Sequence, residues 1–284
     1  MRRFETETPH GTDKYLLLEA GEIPALVQKH EKVLMHKTGD SWSGGVAYAT
    51  FKQRASTGDN ALVLESDKHL ALIEDQVPMA RGWRNVDDVV GAVPNVPAFL
   101  AGHPQCMRRR QRAMRDTAPL AIYMDLTSSA GIDAKDVQKR GIVLLALTRL
   151  LVEHRPVELW VGTGMGSGYS HRNGGKSVSA TVCWRIDTAP LDLARAAFHI
   201  SSTAMARGFG YEMVHGELDM PHGHWPFGNH ALHCRTAEAR LKEVFAGQEL
   251  LYIPPIYWGD PMTQDPVAWV KRVLARYVGE EEAA

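Results

Sequence analysis

Leu120-Ala121-Ile122-Tyr123-Met124-Asp125-Leu126-Thr127-Ser128-Ser129 is the stretch on which the reading of the fold turns. Pro119 precedes it, hydroxyl side chains close it, and the positions between are apolar without alternation. That pattern predicts a strand buried on both faces, because only such a strand dispenses with polar alternate positions. Working outward, residues 134–154, rich in Val, Leu, Ile and Ala, predict a long helix. VELWVG (157–162) predicts a second strand, and SVSATVCWRI (177–186), β-branched and nearly alternating, a third. LDLARAAFHISSTAMARG (191–208) has amphipathic spacing, with Pro190 ahead of it and Gly208 as its stop, and predicts one helix. YEMVHG (211–216) reads as a strand, 236–246 as a helix, ELLYIPPI (249–256) as a strand, and 266–278 as a closing helix with Pro266 in its first turn.

Strands alternating with helices predict an α/β fold: a Rossmann-like, mostly parallel sheet with helices on both faces. No helix separates the strands at 157–162 and 177–186, so the second of these is expected as an antiparallel partner at the sheet edge. The α/β domain is placed at 116–284 and a mainly helical N-terminal region at 1–115. Within that region 14–36 reads as two short helical pieces, and Gly39–Gly45 as a turn. Further helices pass through Ala47, Phe51 and Arg54 and through Leu62–Ile73, and 89–104 (VVGAVPNVPAFLAGHP) reads as a buried connector.

Composition bounds the class. With 44% hydrophobic and 23% charged residues, the chain of 284 can bury a sizeable core, which excludes a disordered protein. A net charge of -1 predicts neither a general nucleic-acid binder nor a membrane-surface protein, so such roles need a local patch. No apolar run reaches the roughly 18 residues of a membrane span, and MRRFETETPHGTDKY lacks a secretory apolar core. Three scattered cysteines, Cys106, Cys183 and Cys234, fit a reducing compartment, and a cytoplasmic location is expected, the host cytoplasm if the protein is viral.

Chemistry is expected first at Asp125, Thr127 and Ser129, because ligands collect outside the carboxyl ends of strands in open α/β sheets. One carboxylate and two hydroxyls at i, i+2 and i+4 offer oxygen ligands to Mg²⁺. The same residues can instead cap the following helix. The spacing resembles the metal-ion-dependent adhesion motif Asp-x-Ser-x-Ser of von Willebrand factor A-like domains, with Thr127 in the second place, and the order of elements over about 118–278 is similar too. The resemblance implies a bound Mg²⁺ completed by a later Thr and Asp, for which Asp187-Thr188 and Asp219 are the nearest candidates. It also implies a partner whose acidic group completes the coordination, and a non-enzymatic adaptor role, as for domains that serve ring ATPases. Gly91–Met107 is similar to uncharacterised tailed-bacteriophage proteins.

Three other clusters carry alternatives. Gly162–Gly168 with Asn173–Ser177 tempts toward phosphate binding, but a strand rather than a helix follows Lys176, so a glycine-rich hairpin tip is expected. His222, His224, His230 and His233, with His215 and Cys234 nearby, have spacings that zinc accepts. A zinc-dependent hydrolase would take Glu217 as its base. Arg108, Arg109, Arg112 and Arg115 predict a positive helical stripe for nucleic acid, with Arg110 in the same run. Trp42, Trp225 and Trp258, beside glycines or prolines, are candidates for a surface groove, whereas Trp160, Trp184 and Trp269 read as packing residues. No Ser/His/Asp order or reactive-cysteine signature assigns catalysis.

Overall fold

The computed structural model describes residues 1–8, 11–39, 41–76, 83–91, 93–112, 119–128, 131–166, 177–219, 238, 241–245 and 248–277. In chain order, β1 (Arg2–Thr8) and β2 (Gly11–Leu18) lead into α1 (Ile23–Lys29), α2 (Glu31–Lys37), α3 (Tyr48–Thr57) and α4 (Asn60–Gln76). Next come β3 (Trp83–Asp88), β4 (Val93–Pro94), α5 (Val96–Leu100) and β5 (Met107–Arg112). The remainder is β6 (Leu120–Asp125), α6 (Ala134–Leu151), β7 (Val157–Gly166), β8 (Ser177–Ile186), α7 (Leu193–Ser201), a π-helical segment (Ala204–Gly210), α8 (Tyr211–Leu218), β9 (Glu249–Ile253), α9 (Pro261–Gln264) and α10 (Pro266–Tyr277).

The fold is α/β. Six strands form one sheet in the order β1-β2-β8-β7-β6-β9. β6 runs parallel to β7 and β9, and β2 parallel to β8, while β7–β8 and β1–β2 are antiparallel. Strand periodicity divides the core in two. Leu120, Ile122 and Met124 face the larger core with Leu159, Val161, Val182 and Trp184. Ala121 and Tyr123 face the opposite way, with Trp160, Cys183 and Leu250, under Leu241 and Phe245. Each such apolar side chain contributes about 1.5–3 kcal/mol on burial. Close packing explains two glycines. A Cβ at Gly162 would sit 2.6 Å from Tyr123 Oη, and one at Gly141 of α6 would sit 2.4 Å from the Ile200 carbonyl of α7.

Several expectations are corrected. β8 is indeed antiparallel to β7, but it lies inside the sheet, because β2 pairs along its other side and the antiparallel edge strand is β1. Lys14–Leu18 is thus a strand rather than helical; Leu16 and Leu18 enter one core and Leu17 the other. The N-terminal helical segment is present as expected, and its Ile23, Phe51 and Ile73 join the same core as Leu120. Residues 211–216 are helical, not a strand, since six residues are too few for period to discriminate. Residues 191–208 break at Ser202 into α7 and the π-helical segment. The glycines through Gly166 extend β7 rather than forming the loop.

The segment from Trp83 to Arg112 stands apart as an arm. Its three strands form their own sheet in the order β3-β5-β4, and among the residues whose side chains are described, 87–91 and 93–109, none enters a hydrophobic core cluster. The expected buried connector is therefore exposed: Val89, Val90, Val93, Val96, Phe99 and Leu100 all face solvent.

Candidate functional site

The carboxyl ends of β6 and β9 carry two loops that meet at a bridge between Ser128 and Ile256. Beneath them α6 places Arg140, an arginine on an otherwise apolar helix face and almost wholly buried. Its guanidinium donates to the carbonyl of Asp125 at 3.1 Å and to that of Pro254, and pairs with Asp260 at 3.1 Å. Asp260 in turn caps α9 by accepting from the Met262 amide at 2.8 Å. From the π-helical segment, Arg207 donates through Nη2 to Ser128 Oγ and to the Ile132 carbonyl, both at 2.9 Å. Two buried cations therefore hold both loops, largely through backbone oxygens.

Asp125 and Thr127 lie inside this frame. Asp125 Oδ1 accepts from the Thr127 amide at 2.8 Å. Thr127 Oγ1 accepts from the Gly164 amide at 3.0 Å and lies 3.3 Å from Thr163 Oγ1. Burial pushes the Asp125 carboxyl above its ordinary range, and its contacts with Thr127 and Arg140 recover only part of that shift. In the core cluster with Tyr123, burial first and the nearby Asp125 push the Cys183 thiol up to about 12, so this cysteine is inert.

The donors were expected to converge on Mg²⁺, and the described ones do not fit that ion. The Thr127 hydroxyl is engaged by a backbone amide, Ser128 by Arg207, and the Asp260 carboxylate by Arg140. Mg²⁺ needs six oxygens in near-octahedral order, whereas these oxygens already serve amides and guanidiniums. Ser129 lies outside the described residues. Asp187 and Thr188 are at the other end of the sheet: β8 is antiparallel, and Thr188 Oγ1 donates to Val157, the first residue of β7. Asp219 ends α8 in a left-handed turn with φ 51°.

The remaining candidates separate as well. His222, His224, His230, His233 and Cys234 lie outside the described residues; among the described ones no three His, Cys, Asp or Glu side chains group to hold a metal. Glu217 is not free to act as a base. It accepts from Lys29 Nζ at 2.6 Å and from Arg3, and lies 2.7 Å from His30 Nε2, whose Nδ1 is 2.9 Å from Glu212. Burial raises the Glu217 carboxyl, and its bonds with Lys29 and His30 more than reverse this, leaving it below the ordinary range. This cluster pins α1 and α2 to α8. Arg108, Arg109 and Arg112 lie on β5 rather than on a helix, so the expected helical stripe is replaced by strand alternation, in which positions 108 and 112 share a face and 109 takes the other. Arg108 pairs with Asp87 at 3.3 Å and Arg109 with Asp88 at 2.6 Å; Arg115 lies outside the described residues.

Sequence reasoning missed Arg140, Arg207 and Asp260. A signal existed for two of them: Arg140 interrupts an apolar helical stripe at spacings of three and four from Val137, Val143 and Leu144, and Asp260-Pro261 has the form of a helix start. Trp258, a groove candidate, is 81% exposed on the loop after β9, where its ring edge lies beside Gly131 of the loop after β6. Tyr257 beside it is also exposed. The rim is thus rigid underneath and aromatic outside.

No helix among the described residues is long and apolar enough to cross a membrane. No curated protein and no solved structure matches the chain. A family model described as "Domain of unknown function (DUF7192)" matches residues 12–279, from β2 past the end of α10, and the chain belongs to that family.

Proposed function

We propose that this chain is a non-enzymatic adaptor that captures a protein partner on the rim formed by the loops after β6 and β9. The observation that carries this reading is Trp258, 81% exposed on a loop whose backbone is fixed from below by Arg140. A large aromatic held out on a rigid support is the kind of group that dominates binding energy, since little ordering remains to be done when it is covered. The two guanidiniums take the organising part that a divalent cation plays in the adhesion motif, so capture is independent of Mg²⁺. A ring ATPase is the partner class suggested by the resemblance to von Willebrand factor A-like domains, and a tailed bacteriophage the setting suggested by Gly91–Met107.

The test is co-purification of partners with tagged wild-type chain, Trp258→Ala and Asp125→Asn, each with Mg²⁺ and with a chelator. Truncating a central tryptophan costs about 2 kcal/mol or more, so Trp258→Ala should lose at least about 30-fold in partner affinity while unfolding at the same urea concentration. Asp125→Asn keeps an acceptor for the Thr127 amide, relieves an unfavourable buried charge, and should capture normally. Capture that Trp258→Ala leaves intact would remove the rim reading. Capture lost with the chelator and in Asp125→Asn alike would restore the metal-dependent one.

A further inference from the structure

The arm and α4 present two unpartnered surfaces that complement each other. On the arm, Val96, Phe99 and Leu100 fall at i, i+3 and i+4 of α5 and share one face; Phe99 is 67% and Leu100 78% exposed. Among the described side chains of the arm, 87–91 and 93–109, no apolar one is buried, and a small three-stranded sheet gains stability from a packed face. On α4, Ile73 faces the core while Leu64, 65% exposed, and Leu72 face outward. Ala61, Leu64, Glu65, Lys68 and His69 line an open groove of about 480 Å³ there. One surface is a projecting apolar ridge, the other an apolar-edged groove.

Their charges are opposite. Residues 83–112 hold five arginines against two aspartates, a net +3 in a chain whose total is -1. α4 holds two glutamates and two aspartates against Lys68, a net -3. The pairs of Arg108 with Asp87 and of Asp67 with Arg149 are exposed and each is worth less than about 1 kcal/mol, so they can rearrange when an opposing surface arrives. Within one chain the ridge does not occupy the groove, as the exposure of both shows.

We propose that the arm of one copy of this chain docks through Phe99 and Leu100 on the outer face of α4 of a second copy. Each copy offers one ridge and one groove, so two copies can exchange arms in a symmetric pair, or more can associate head to tail in a closed ring or an open row. The electrostatic match steers the encounter and makes it sensitive to salt.

Sedimentation velocity of the full chain over a hundredfold range of concentration tests this, with Phe99→Asp (ridge removed) and Leu64→Asp (groove spoiled). Wild type should form dimers or larger species as concentration rises, and fewer of them in high salt. Each variant alone should associate at least tenfold more weakly, with unchanged circular dichroism. Mixed together, the two variants should recover a dimer of one copy each, because one retains an intact groove and the other an intact ridge. A wild type that stays monomeric throughout overturns the proposal, even if it pelleted with anionic lipid vesicles. So does an oligomer that both variants leave unchanged, or a mixture that recovers nothing.

Discussion

Val182 in β8 and Val93 in β4 are the same side chain in the same kind of backbone, yet the first is wholly buried and the second 58% exposed. The contrast holds for the two sheets that contain them. Around Val182 every strand of the main sheet finds an apolar partner on at least one face, with Trp184 edge-on to Phe209 at 5.8 Å. Val93 pairs with Arg108 across the ladder and faces solvent. One sheet is held by what it excludes from solvent. The other is held by a few ladder bonds and exposed ion pairs, and retains its apolar surface for something else. An apolar residue without a neighbour is informative where an exposed polar one is not.

Three measurements sharpen or break that contrast. Trp184→Ala should have the largest effect, costing about 3–5 kcal/mol in urea unfolding, because the main sheet cannot close the cavity it leaves. A loss under about 1 kcal/mol would mean that the large core is looser than its burial implies. Acid comes next. His199 of α7 donates from Nε2 to the Ala55 carbonyl at 2.9 Å, and burial pulls its pKa down to about 4 from 6.5. With the folded value below the unfolded one, its contribution is complete above about pH 6.5 and fades as pH falls toward 4, by about 3 kcal/mol in all. His199→Leu should flatten that limb of the stability profile while lowering the plateau at neutral pH; an unchanged acid limb would assign it to other groups, such as Glu217. The smallest effect is expected in the arm. Val90→Ser, measured at concentrations where the chain is monomeric, should shift global stability by less than about 0.5 kcal/mol. A larger loss would show that the arm packs against the body.

The legibility of the sequence follows the same division. The central strand was readable because Leu120–Met124 is apolar at every position, and only a doubly covered strand needs that. The candidate site was readable in its address, since the end of that strand does carry the loop of interest. The contacts around it were not readable, because the Asp125 carbonyl and Ser128 are held by Arg140 and Arg207, brought there by tertiary packing. β2 was taken for part of a helical piece because a four-residue apolar run flanked by charge has no decisive period, and its parallel pairing with β8 spans more than 160 residues. Residues 89–104 were misread because apolar character states what a side chain avoids, not whether the fold supplies it with cover.

Arg140 grips the loops after β6 and β9 through the carbonyls of Asp125 and Pro254. Any amino acid supplies that carbonyl, so this grip, unlike the pairing with Asp260, does not depend on which side chains stand at positions 125 and 254. Tyr257 and Trp258, both exposed, can then be exchanged wholesale, as letters are changed in a fixed type-bed, and a library randomised at these positions should yield folded chains with altered appetites rather than collapsed ones.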